Sequence, residues 1–184
     1  LGLIKPTSGN IYVDKKKMND DLFRLFRMST SSVPQDTFLL DRTIEENIIL
    51  GKINSIVDYK LLNNVIDTCL LRSFIDSLRY GLKTYVGENG VKLSGGQKQR
   101  ISISKALYKK HSLLILDEAT SAVDLETESK ILKNIIRNYP SKTLIMIAHR
   151  LQTLKECDYI LEIRNKNIIK YKSIDEYQLK NSKH

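Results

Sequence analysis

An α/β protein with a mostly parallel sheet and a small helical lobe is the fold class this sequence predicts, on three observations. Leu113–Leu116 and Leu144–Ala148 are uninterrupted apolar runs of strand length, the pattern of strands covered on both faces. Between them Ile131, Leu132, Ile135 and Ile136 recur at helical spacing, so the three segments make one βαβ unit. Upstream, Leu61, Leu62, Val65, Ile66 and Cys69, then Phe74, Ile75 and Leu78, give two short amphipathic helices.

In chain order, Thr7-Ser8-Gly9-Asn10 reads as a turn, and Ile11-Tyr12-Val13 as a short strand ending at Asp14. The basic run Lys15–Lys17 then reads as a solvated loop. Pro34 biases Val33 toward extended backbone, which puts Gln35 at a strand end or in a loop. Gly81 is a stop signal after the second lobe helix. A third helix starts after Ser94-Gly95-Gly96, with Ile101, Ala106 and Leu107 inward and Lys98, Arg100, Lys105 and Lys109 outward. Asp124 or Thr127 caps the helix of the βαβ unit, and Pro140 follows its end. Strands at Tyr159–Ile163 and Ile168–Tyr171 precede a polar, Lys-rich tail. The resulting division is 1–50 for the first part of the core, 51–109 for the helical lobe, 110–164 for the rest of the core, and 165–184 for a last strand and basic tail.

Composition narrows the function classes. With 184 residues, 41% of them hydrophobic and 28% charged, the chain can build a core, which excludes disordered and collagen-like classes. Thirty Lys and Arg against 21 Asp and Glu leave a net charge of +9, which attracts nucleotides, nucleic acid and anionic headgroups alike. No run reaches the roughly 20 apolar residues needed to cross a bilayer. The chain starts at Leu1 without a leader pattern and reads as a fragment. Cys69 and Cys157 have no Cys/His cluster near them, so both read as buried spectators rather than disulfide or zinc partners.

Three places could carry chemistry. Asp117 and Glu118 follow the first buried run, and ligands in open parallel sheets bind beyond the carboxyl ends of the strands. One carboxylate there can hold a hard divalent ion while its neighbour polarises a water; taken alone, such a pair is more simply a strand end with an acidic helix cap. His149 follows the second run and shares that sheet edge, where it can donate to a phosphate; a lone histidine is more often structural. Ser94-Gly95-Gly96-Gln97 opens a helix whose first N–H groups have no internal partner and can bind an anion; an ordinary Ser cap is the alternative.

The run Leu93-Ser94-Gly95-Gly96-Gln97-Lys98-Gln99-Arg100 resembles the signature motif of ATP-binding cassette (ABC) ATPases. Other segments fall in that family's order. Val33-Pro34-Gln35 resembles the Q-loop and Leu113–Glu118 the Walker B strand. Ser121-Ala122-Val123-Asp124 resembles the D-loop, and Ile147-Ala148-His149-Arg150 the switch-histidine loop. The resemblance runs from Leu1 to about Ile163, where Leu1–Asp14 looks like the stretch after the P-loop helix. No Gly-x-x-x-x-Gly-Lys-Ser/Thr occurs in the chain, nor does the adenine-stacking aromatic segment upstream of it.

The resemblance implies a partial P-loop NTPase (RecA-like) core with an inserted helical subdomain that carries the signature motif. It also implies ATP and Mg²⁺ as cofactors and a head-to-tail pair of nucleotide-binding domains. Ser94, Gly95, Gly96 and Gln97, with Asp124, would then face a nucleotide held by the partner. Gln35, Asp117, Glu118 and His149 would serve the chain's own nucleotide: Asp117 and Gln35 on Mg²⁺, Glu118 as general base, His149 on the γ-phosphate.

"VPQDTFLLDRTIEENI" and "TYVGENGVKLSGGQKQR" look like exporter-type domains, in which Val86–Gly90 communicates with a membrane domain. That reading implies membrane association on the cytoplasmic face through a transmembrane partner, and no specific nucleic acid. Arg42, Lys105 and Asn165-Lys166-Asn167 depart from the family pattern away from the phosphates. The alternatives are a soluble ABC-type ATPase acting on nucleic acid, for which +9 would be the footprint, and a truncated module with only an interaction role.

Overall fold

A computed structural model describes residues 2–50, 56–148 and 150–181. Its centre is a three-stranded parallel sheet of β3 (Thr30–Val33), β4 (Leu113–Asp117) and β5 (Thr143–Ile147), with β4 in the middle. The register pairs Val33 with Leu116, Leu116 with Met146, and Asp117 with Ile147, so all three strands end at one edge. Helix α6 (Leu125–Asn138) makes the crossover from β4 to β5 and buries Ile131, Leu132 and Ile135.

The helical lobe contains α2 (Ile44–Ile48) and α3 (Tyr59–Thr68), packed on the long helix α5 (Gly95–Tyr108), and α4 (Arg72–Ser77), which packs on the 3-10 turn Gly81–Lys83. Of the predicted stripe, Leu62, Val65, Ile66 and Cys69 are fully buried and join Ile101, Ile103 and Leu107 of α5 in one core, while Leu61 is partly buried against it. At about 25 cal/mol per Å², each such side chain contributes roughly 1.5–3 kcal/mol, so this seam rather than helix propensity fixes the lobe. The Tyr108 hydroxyl accepts the Asp58 N–H at 3.0 Å, tying the end of α5 to the start of α3.

Several expectations are corrected. Helix α1 (Asp20–Met28), capped by Asn19, and α2, opened by the Thr43/Glu46 capping box, were not among the predicted elements. Lys16–Lys17 is not loop but strand β2, paired with β1 (Tyr12–Val13); Asp14 and Lys15 both take positive φ, the two-residue turn that matches strand twist. Helix α4 stops at Ser77, before Gly81, which opens a 3-10 turn at φ +48°.

Arg100 and Lys105 are half-buried, and burial lowers both of their pKa values. Strand β5 is not covered on both faces as expected: Leu144 and Met146 pack on the core, while Ile145 and Ile147 on the other face are about half exposed. Strands β6 (Ile160–Arg164) and β7 (Asn167–Tyr171) form a separate antiparallel hairpin. Its turn residues Asn165 and Lys166 adopt positive φ without a glycine. The tail holds helix α7 (Ile174–Asn181), just before which the Ser173 hydroxyl accepts the Glu176 N–H.

Candidate functional site at the strand tips and the α5 start

The common edge of β3, β4 and β5 brings two predicted residues together. Gln35, just past β3, donates through Nε2 to Glu118 Oε2 at 3.0 Å. Glu118 extends the ladder by one bond, its N–H donating to the Ile147 carbonyl at 3.1 Å, and there the chain turns at φ +48°. A non-glycine residue in that region costs about 1–3 kcal/mol and persists only where its surroundings hold it. Here the turn directs the carboxylate toward the loop after β3 rather than along the strand. Asp117 is exposed at the tip of β4, opposite Ile147. His149 lies outside the described residues.

The second group is the start of α5. Ser94 is the N-cap: its hydroxyl accepts the Gln97 N–H, and the Gln97 side chain accepts the Ser94 N–H at 2.9 Å. The capping alternative is thus what the structure shows at Ser94, and the Gln97 side chain is engaged in the cap. Ser94 and Gly95 are exposed and Gly96 is half-buried. The amides of Gly95 and Gly96 belong to the first turn, where the helix itself supplies no acceptor. A Cβ on Gly96 would meet the Ala122 carbonyl oxygen at 3.0 Å, and one on Gly95 would meet the Ala122 side chain at 3.1 Å. The glycines thus let the 118–124 loop approach the helix closely.

That loop links the two groups. Ser121 N–H donates to the Glu118 carbonyl, and Val123 N–H to the Thr120 carbonyl. Asp124 ends it as the N-cap of α6, accepting the Thr127 N–H at 2.9 Å; hydrogen bonds from Thr127 hold its carboxyl below the usual aspartate value.

Three residues around the loop have no role that the sequence alone assigns. The amide of Gln99, which is buried, accepts the Ala122 N–H at 2.8 Å and donates to Ser121 Oγ at 3.0 Å. Arg150 donates to the carbonyls of Ser121 and Val123, each at 2.8 Å, and to Glu128 Oε2 at 2.9 Å. Buried Glu128 also accepts from the hydroxyls of Thr120 and Thr153, at 2.6 and 2.8 Å. Gln99 and Arg150 stand inside the family-like runs Leu93–Arg100 and Ile147–Arg150, which assign neither a contact; nothing in the spacing marks Glu128.

The donor set suits Mg²⁺, which takes oxygen ligands and keeps waters and substrate phosphates among them. Asp117 offers an exposed carboxylate. Gln35 spends its amide nitrogen on Glu118, which leaves Oε1 as its oxygen for a cation. No cluster of three or more His, Cys, Asp or Glu side chains occurs among the described residues. A cation here would thus rest on few protein ligands and complete its shell with phosphate and water.

The ABC transporter family model matches residues 1–121. The chain is 39% identical over 168 residues to an ATP-dependent lipid A-core flippase of Bordetella avium (strain 197N), covering 91% of this chain and 28% of that protein. It is 42% identical over 173 residues to a putative multidrug export ATP-binding/permease protein of Bacillus subtilis (strain 168), covering 92% and 29%. Among solved structures, a bacterial Atm1-family ABC exporter with ATP bound superposes with a TM-score of 0.87 at 33% identity, over 96% of this chain and 31% of that one. The chain spans under a third of the length of each of these relatives. The family model covers more than half of the chain, and the chain belongs to the ABC transporter family.

Proposed function

We propose that this chain is part of the ATP-hydrolysing domain of an ABC exporter, working on the cytoplasmic face of a membrane through a transmembrane domain and as a head-to-tail pair with a second nucleotide-binding domain. The observation that carries the reading is the Gln35–Glu118 hydrogen bond at the common end of three parallel strands, with Glu118 held in a left-handed conformation. A carboxylate fixed there can take the proton of a water attacking a terminal phosphate, and Gln35 holds the orientation of that carboxylate.

Asp117 and the Gln35 carbonyl would hold Mg²⁺, which when bound neutralises phosphate charge. Ser94, Gly95 and Gly96 would offer their hydroxyl and amides to the γ-phosphate on the partner. Asp124 would sit beside that contact, and Gln97 would support it through the cap. His149 would contact the γ-phosphate of the chain's own nucleotide. These 184 residues contain no phosphate-cradling Gly-x-x-x-x-Gly-Lys-Ser/Thr, so by themselves they neither bind ATP tightly nor turn it over.

The test is Glu118→Gln in the full-length protein. ATP affinity should persist while turnover is lost; turnover at the wild-type rate would refute the assignment of Glu118 as base.

A further inference from the structure

The loop Ser121–Asp124 is gripped from two sides by side chains with no part in the proposed chemistry. Gln99 is 4% exposed, and a buried amide is costly unless both its ends are satisfied. It spends both on the loop, Oε1 on the Ala122 N–H and Nε2 on the Ser121 hydroxyl. From the opposite side the Arg150 fork takes the Ser121 and Val123 carbonyls. Its guanidinium is in turn steadied by Glu128, itself fixed by the hydroxyls of Thr120 and Thr153. Three consecutive loop residues are therefore tied to α5 on one side and to the segment after β5 on the other. The same loop begins at Glu118 and presses Ala122 against Gly95 and Gly96.

We infer that Gln99 and Arg150 are positioning residues for ATP turnover, setting the Ser121–Asp124 loop that holds Glu118 toward the chain's own nucleotide at one end and packs on the α5 start, which faces the partner's nucleotide, at the other. The inference rests on the ATPase reading above. Neither residue touches the reacting atoms, so displacing the loop should act on kcat with little effect on ATP binding. Small displacements suffice, since an error near 1 Å can cost about a hundredfold in rate.

The experiment uses the full-length protein, with kcat, KM for ATP and thermal midpoint measured for Gln99→Leu, Arg150→Met, their combination, and the conservative Gln99→Glu and Arg150→Lys. Gln99→Leu and Arg150→Met should each lower kcat on the order of tenfold while KM stays within about twofold. Gln99→Glu keeps both contacts, since a carboxylate accepts the Ala122 N–H and the Ser121 hydroxyl proton, but it buries a charge and should fall between Leu and wild type. Arg150→Lys should fall between Met and wild type, because an ammonium lacks the planar fork.

Because both residues act through one loop, the double variant should be no slower than the worse single; independent effects would multiply to about a hundredfold. Wild-type kcat in both Gln99→Leu and Arg150→Met, or multiplied losses in the double variant, would overturn the inference. Should Gln99→Leu fail to fold, the Arg150 pair carries the test, since that side chain is 38% exposed. A wild-type protein without ATPase activity sinks the functional reading itself; wild-type turnover with indifferent variants sinks only this inference.

Discussion

Glu128→Leu in the full-length protein probes how the loop after β4 is held. Glu128 is 3% exposed, and its carboxylate accepts hydrogen bonds from Thr120, Thr153 and Arg150. Hydrogen bonds to a charged acceptor contribute about 1.5–3 kcal/mol each, and both threonines are buried, so their loss sets the upper range near 3–6 kcal/mol. The Arg150 pair adds less than about 1 kcal/mol, because the guanidinium is open enough for water to screen it. Against this, leucine removes the cost of burying a carboxylate, which is itself several kcal/mol before compensation.

The net expectation is a destabilisation of about 2–4 kcal/mol, equivalent to a fall of roughly 4–16 °C in the midpoint of a domain this size. Glu128→Gln keeps an acceptor oxygen and should lose about half as much. The assay is thermal unfolding of the purified protein followed through the nucleotide-binding domain. A midpoint for Glu128→Leu within about 1 °C of wild type would refute the ledger and with it the view that this carboxylate anchors the loop.

Two further outcomes follow from the caps and glycines. Asp124 is held below its ordinary value of 3.8 by Thr127, so its cap contributes above that value and is lost as pH falls through the lower folded-state pKa. Protection of the Thr127 amide, taken relative to its intrinsic exchange rate, should therefore fall as pH drops below 3.8, and Asp124→Asn should flatten that dependence; an unchanged pH profile in the variant would contradict the assignment. Gly96→Ala gains about 1 kcal/mol of helix propensity yet places a Cβ 3.0 Å from the Ala122 carbonyl oxygen. Turnover should drop and stability should not rise by that gain; a more stable, fully active variant would show that the close approach is dispensable.

How much of this was readable in the sequence depends on the length scale of the signal. The runs Leu113–Leu116 and Leu144–Ala148 and the stripe of α3 each spend many side chains on one pattern, and they became strands and helix where expected. Two-residue strands such as Lys16–Lys17 carry no periodicity, so only the Asp14-Lys15 turn could have betrayed them. Helices α1 and α2 did leave signals, an Asn cap followed by two aspartates and a Thr-x-x-Glu box, which short length masked.

For the site, Gln35 and Glu118 are 83 residues apart, and only the register of β3 on β4 places one amide against the other carboxylate. The left-handed backbone of Glu118 is likewise a product of the β4–β5 edge, since glutamate has no preference for it. Arg150 reads the loop through backbone carbonyls, which every residue type offers, so no sequence pattern announces that contact.

The most direct measurement places two lesions in a full-length pair. With Glu118→Gln in one copy and Ser94→Arg in the other, a site shared between chains loses both of its halves at the same seam, and the opposite seam stays intact and turns over ATP. With both lesions in one copy, each seam is damaged and turnover disappears. The reverse outcome, activity only when the lesions share a chain, would mean that the α5 start serves its own chain's nucleotide and would contradict the account.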